Sequence, residues 1–245
     1  HGEGEQPTDF PQLHISLDAA NQLLSRTGFS ISDVQTKIDE KKKPLSMNLA
    51  TKAQIEINAS YEKNARTMNV VAMLEGSDPK LKNEFVVIGA HLDHVGSQAG
   101  LLFPGANDNA SGSAGVLEIA KAFVKGGIQP KRSMLFVLFA SEEQGLNGSK
   151  HFVESWKNGY DKITAMINLD CIGYGDSIQI GNGKSAPNLW KIANEIDETS
   201  FNSMVDRTWS GGGADATPFF EKDIPCLYFV TTNSYGHLHL PSDKV

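Results

Sequence analysis

The stretch Phe85-Val-Val-Ile-Gly-Ala-His-Leu-Asp-His94 decides the fold. Its first six residues form an apolar run of strand length, and two chemically versatile residues, His91 and Asp93, follow at once. Runs of the same kind recur at 68–74, 134–140, 163–169, 178–180 and 226–231. Between them lie amphipathic segments, predicted as helices over 111–124, 149–156, 186–198 and 217–221. Strands that alternate with helices predict an α/β fold, a three-layer α/β/α sandwich whose central sheet is mainly parallel and covered on both faces.

The alternation starts near residue 66. Before it, residues 1–65 are polar and mixed, with a strand-like piece at 13–16, predicted helices over 18–25 and 31–41, and an alternating, strand-like segment at 54–60. No chemical constellation occurs there. Composition is that of an ordinary globular chain, 40% hydrophobic and 21% charged over 245 residues. A net charge of -7 argues against general affinity for nucleic acid or anionic membrane, and the basic run 41–43 reads as a solvated helix end. No apolar run is long enough to span a bilayer. Cys171 and Cys226 each lie beside an apolar run and are expected as buried free thiols, which leaves the redox compartment open. The chain begins at His1 without an initiator methionine and reads as processed or cut.

The candidate metal ligands fall just after the strand runs, where open α/β sheets carry their functional groups. His91 and Asp93 follow 85–90, Glu142 and Glu143 follow 134–140, Asp170 follows 163–169, and His237 and His239 follow 226–231. Asp108 lies in the turn Gly105-Ala-Asn-Asp-Asn-Ala-Ser-Gly112, just before a predicted helix. Carboxylates gathered this way repel one another and are expensive to desolvate unless cations compensate them. Mixed imidazole and carboxylate donors favour zinc or its first-row neighbours over calcium and magnesium. Five ligands exceed one tetrahedral site but suit two ions that share a bridging carboxylate.

In these residues the chain resembles the co-catalytic zinc exopeptidases, a family that includes bacterial aminopeptidases, glutamate carboxypeptidase and, as a variant, glutaminyl cyclase. The resemblance runs through His91-Leu-Asp-His94, 105–112, Ser141-Glu-Glu-Gln-Gly145, Asn168-Leu-Asp170 and His239-Leu-Pro-Ser-Asp243, and covers 66–245. It implies two zinc ions per chain. Asp108 would bridge them, His91 and Asp170 would hold one, and Glu143 and His239 the other. Glu142 would be the general base, and Asp93 would orient His91. His94 is expected to pack near the site as a loop residue, and His239 is preferred to His237 by its spacing to Asp243.

The same resemblance implies an aminopeptidase acting on peptides with a free N-terminus, outside the cytoplasm. Its rivals are a glutaminyl cyclase, a carboxypeptidase of the same fold, and a binding module without catalysis. Ser210-Gly-Gly-Gly-Ala-Asp215 resembles a turn of the family near the substrate pocket, so Asp215 is a candidate substrate contact or a helix cap. Leu238 stands where many members carry tyrosine, which leaves Tyr235 as a candidate substrate contact. Residues 11–24 resemble the end of a protease-associated domain, so 1–65 is expected to be a remnant of that accessory domain. The catalytic core is expected to lack its last helix.

Overall fold

The computed structural model describes residues 13, 15–56, 62, 64–98, 100–156 and 159–245. They form two compact units, with the division between Ala65 and Arg66. In the first, helix α1 (Leu17–Leu24) starts where the Ser16 side chain accepts the Ala19 N–H. Helix α2 (Ile31–Lys41) starts at a capping box, in which Ser30 and Asp33 each satisfy the other's backbone N–H. Residues 54–56 form no strand, and neither do 13, 15 and 16; the rest of those two predicted strands lies outside the described residues.

In the second unit the main sheet is built from β1 (Val70–Leu74), β2 (Phe85–His91), β5 (Ser133–Phe139), β6 (Ile163–Leu169), β7 (Ile178–Gly181) and β8 (Cys226–Thr231). A separate hairpin, β3 (Gly96–Gln98) with β4 (Leu101–Phe103), had no signal in the sequence pattern. Sheet order is β1-β5-β2-β6-β8-β7. The central four strands are mutually parallel, and β1 and β7 run antiparallel at the two edges. β1 begins at Val70 rather than 68, because its pairing with β5 covers only Val70 to Leu74.

Strand alternation sorts the core into two layers. Phe85, Val87, Leu135, Val137, Phe139 and Met166 face one way, and pack with Phe152 and Val153 of α4 (Asn147–Ser155) and Phe219 of α6 (Thr217–Phe220). Ile88, Ala90, Met134 and Phe136 face the other way and meet Val116, Ile119 and Phe123 of α3 (Gly112–Lys125). Ile180 and Leu227 meet Leu189, Trp190 and Ala193 of α5 (Pro187–Ser200). The α/β fold with helices on both faces of a mainly parallel sheet is therefore as the sequence predicts. Among the described residues no helix is long and apolar enough to cross a membrane. Cys171 and Cys226 are buried and free.

The glycine in the middle of β2 has a packing reason. A Cβ on Gly89 would strike the ring of Phe139, which is fully buried in the next strand but stands over this backbone. Gly89→Ala is expected to cost about 1–3 kcal/mol of stability by overpacking. Urea unfolding measures it, and a midpoint equal to the parent's would contradict this packing.

Candidate metal centre

Parallel pairing brings the functional groups to one edge of the sheet. β5, β2, β6 and β8 are consecutive neighbours and all end at that edge. In register, His91 lies opposite Phe139, and Gly89 opposite Asn168, so His91 and Asp170, each two residues further on, reach the same level. Asp108 arrives from the kinked turn Ala106–Ser111 that leads into α3, where its own backbone is not helical, and His239 from the segment after the short helix Ser234–His237.

Two donor groups result. In the first, His91 Nε2 is 3.2 Å from Asp108 Oδ1 and 3.5 Å from Asp170 Oδ1. In the second, His239 Nε2 is 3.2 Å from Asp108 Oδ2 and 3.0 Å from Glu143 Oε2. Asp108 therefore offers one oxygen to each group. His94 joins the second group, with Nδ1 2.8 Å from Glu143 Oε1 and 3.7 Å from Asp108 Oδ2. The donor atoms of His91, Asp108 and Asp170 lie within 4.8 Å of one another, as do those of His94, Asp108 and Glu143. His237 is elsewhere, bonded through Nδ1 to Ser242 Oγ at 2.9 Å.

The backbone fixes these side chains in ways the sequence pattern did not reveal. His91 Nδ1 faces the backbone carbonyl of Asp93 at 2.9 Å, while the Asp93 carboxylate is 3.9 Å away. If Nδ1 carries the proton, Nε2 is left as the donor atom toward the cluster. The Asp93 carboxylate serves another purpose: it accepts the N–H groups of Glu142 at 3.0 Å and Glu143 at 3.2 Å. Asp93 thus orients His91 with its main chain and the two glutamates with its side chain.

Asp243 had no assigned role in the sequence, yet it holds the Asp108 turn. Its carboxylate accepts the N–H of Asn107 at 2.7 Å and of Asp108 at 3.0 Å. Asn107 and Asn109 tie the same turn to its neighbours. The Asn107 amide donates to the Ser234 carbonyl and accepts from Gly173 N–H, and the Asn109 amide donates to the Leu169 carbonyl. The signal was the pair of asparagines flanking Asp108. Gly105 opens the turn with φ 68°, and a Cβ there would lie 2.5 Å from the Asp108 carbonyl and 2.6 Å from the His94 ring. Glycine alone meets both demands.

Electrostatics show why this cluster calls for cations. Burial first, and the neighbouring carboxylates with it, push Glu142 and Glu143 up to about 7. Burial opposes charge on His91, but the adjoining Asp108 and Asp170 carboxylates outweigh it and push His91 up to about 12. The chain's own groups thus compensate one another by holding protons. Asp170 Oδ1 is buried without a hydrogen bond, and His94 Nδ1 approaches the Glu143 carboxylate without hydrogen-bond alignment. Donor atoms that converge this closely fit a divalent metal, and the mixed nitrogen and oxygen set fits zinc.

Asp215 is corrected by the structure. It is fully buried, so it presents no surface to a substrate, and the N-cap of α6 is Ala216, which makes no side-chain cap bond. Burial pushes its carboxyl up to about 8. Tyr235 is exposed, with its hydroxyl 2.8 Å from that of Tyr228.

A family profile described as Peptidase family M28 matches residues 69–245. The chain belongs to that family. It is 42% identical over 106 residues to the leupeptin-inactivating enzyme 1 of Streptomyces exfoliatus, covering 43% of this chain and 22% of that one. It is 32% identical over 193 residues to leucine aminopeptidase 2 of Trichophyton equinum, covering 74% and 37% respectively. A zinc aminopeptidase from Bacillus subtilis superposes with a TM-score of 0.60 at 25% identity, covering 72% of this chain and 44% of the other. The chain spans less than half the length of each of these relatives.

Within the M28 chain, Asp243 offers the clearest test of how the centre is held. Asp243→Asn replaces one acceptor oxygen by an NH2 group facing a backbone N–H, which loosens the Asp108 turn without removing a donor. Zinc affinity is expected to fall about 10- to 100-fold, the usual range when a group supporting a ligand is lost. Competition with a chromogenic chelator measures it, and an affinity equal to the parent's would show that Asp243 is not a support.

Proposed function

We propose that the chain is the catalytic part of a two-zinc aminopeptidase, with His91 and Asp170 toward one ion, Glu143 and His239 toward the other, and Asp108 shared. The observation that carries this reading is the division of Asp108 between two donor groups, one oxygen to each. The zinc aminopeptidase among its structural relatives supports the choice of metal and reaction. The chemistry that two zinc ions supply when bound is activation of water at neutral pH and polarisation of the scissile carbonyl.

The chain's own residues supply the rest. Glu142 belongs to neither donor triad, yet its carboxyl senses the charges of His91, Asp170, Glu143 and Asp108. That position suits a general base, which takes the proton of the attacking water and passes it to the leaving amine. Asp93 keeps Glu142 and Glu143 from exchanging roles by holding both backbone amides. The excess of carboxylates along the sheet edge favours a substrate that brings a positive group, as a peptide with a free N-terminus does. The remaining assignments, residues 1–65 as the remnant of a protease-associated domain and a location outside the cytoplasm, rest on resemblance.

The adjacent glutamates separate the roles. Glu142→Gln keeps size and hydrogen bonding but cannot accept the proton, so turnover is expected to fall by about 10²- to 10⁴-fold with zinc content intact. Glu143→Gln should instead lose one metal, because an amide oxygen is a poor zinc ligand, and excess zinc should restore part of its activity. Zinc content and turnover of leucyl p-nitroanilide, with and without added metal, decide it. Loss of zinc from Glu142→Gln, or parental turnover by it, would show that the base is misassigned.

Asp108→Ala removes the shared carboxylate, and both zinc ions should be lost together. Metal analysis after gel filtration measures this, and unchanged zinc content would overturn the shared role.

A further inference from the structure

A pocket of about 930 Å³ is walled by the end of β8 and the residues after it, by Gln179 of β7, and by the segment carrying Arg207, Thr208 and Trp209. It adjoins the donor cluster. Gly236 in its wall is three residues from His239, at most about 11 Å of chain. Thr231 in the same wall donates its hydroxyl to the carbonyl of Cys171, the residue after Asp170, at 2.9 Å. Tyr235, also in the wall, feels the charge of Asp170.

The charge of this pocket is opposite to that of the cluster. Lys184 and Arg207 both line it with exposed side chains, and neither is ion-paired with a carboxylate among the described residues. Arg207 Nη2 donates only to the neutral Gln179 amide, at 3.0 Å. Of the acids near this wall, Asp176 accepts from the Asn233 amide at 3.2 Å and Asp206 precedes Arg207 in the chain. In a chain with 29 acidic and 22 basic residues, two cations without acidic partners in one pocket point to an anion supplied from outside. Trp209 adds an apolar ring to the lining, a usual companion of a few polar groups in a ligand pocket.

Building on the peptidase reading, we infer that this pocket receives a carboxylate of the peptide substrate. Two sources share that chemistry: an acidic side chain near the N-terminus, and the C-terminal carboxylate of a di- or tripeptide. An extended peptide rises about 3.3 Å per residue, so one of about three residues is long enough to run from His239 to the wall at Gly236. Its ammonium end then meets the acidic cluster and its carboxylate meets Lys184 and Arg207.

The test measures binding by calorimetry in the full chain carrying Glu142→Gln, so that no peptide turns over during titration. Three pairs differ only in charge: Leu-Leu against its C-terminal amide, Leu-Glu-NH2 against Leu-Gln-NH2, and Glu-Leu-NH2 against Gln-Leu-NH2. In at least one pair the carboxylate member is expected to bind about 10-fold more tightly, the usual gain for a charge-assisted hydrogen bond, and the pair that responds identifies the source. Adding Lys184→Met and Arg207→Met should close that gap. Differences below threefold in all three pairs, or a gap that survives both substitutions, would overturn the inference. Absence of hydrolysis by the parent chain would count against the peptidase reading and leave this binding comparison standing.

Discussion

Mutual repulsion among carboxylates at one sheet edge is the constraint on which the rest of the structure depends. Asp108 and Asp170 are nearly or wholly buried, and Glu142 and Glu143 are half-buried beside them. Such groups cannot all be ionised in a medium of low dielectric without positive charge among them. The crowding favours protons on His91 above all, pushed up to about 12, and then on the two glutamates, pushed up to about 7. Divalent metal satisfies it better, because it also organises the converging donor atoms. The parallel sheet creates the concentration of charge, since four neighbouring strands end at the same edge.

Holding the donors there requires backbone geometry that ordinary residues avoid. Ser141 beside Glu142, Cys171 beside Asp170, and His239 itself have φ of 56°, 54° and 53°, in the left-handed region. Such conformations cost of order 1–3 kcal/mol each and persist where the surroundings fix them. Those surroundings are visible as bonds: the Thr231 N–H and hydroxyl both reach the Cys171 carbonyl, and Asp243 closes on the Asp108 turn. Loops bearing the donors are thus tied to the sheet and to one another, and the site inherits the rigidity of the scaffold.

Much of this was legible in the sequence because the signals were local. A buried strand such as β2 announces itself by an unbroken apolar run, and a polar residue directly after it, such as His91, is conspicuous. The hairpin of β3 and β4 was hidden, since three-residue strands with exposed side chains carry no apolar period. The work of Asp243 was hidden as well, because it depends on a contact across 135 residues of chain. Asp93 was read as a support for His91, and only coordinates divide its main chain from its carboxylate. Asp215 misled for a related reason: a glycine-rich turn indicates a change of direction and does not tell whether the next side chain turns inward.

On the proposed reading, the end of this sheet holds two cations that share the Asp108 carboxylate. Crystals of the full chain grown with zinc, with anomalous diffraction recorded on both sides of the zinc absorption edge, test it most directly. The account predicts two zinc peaks about 3.5–4 Å apart, the separation of co-catalytic pairs, with Asp108 between them. A single peak, or two peaks of which only one touches Asp108, would contradict it.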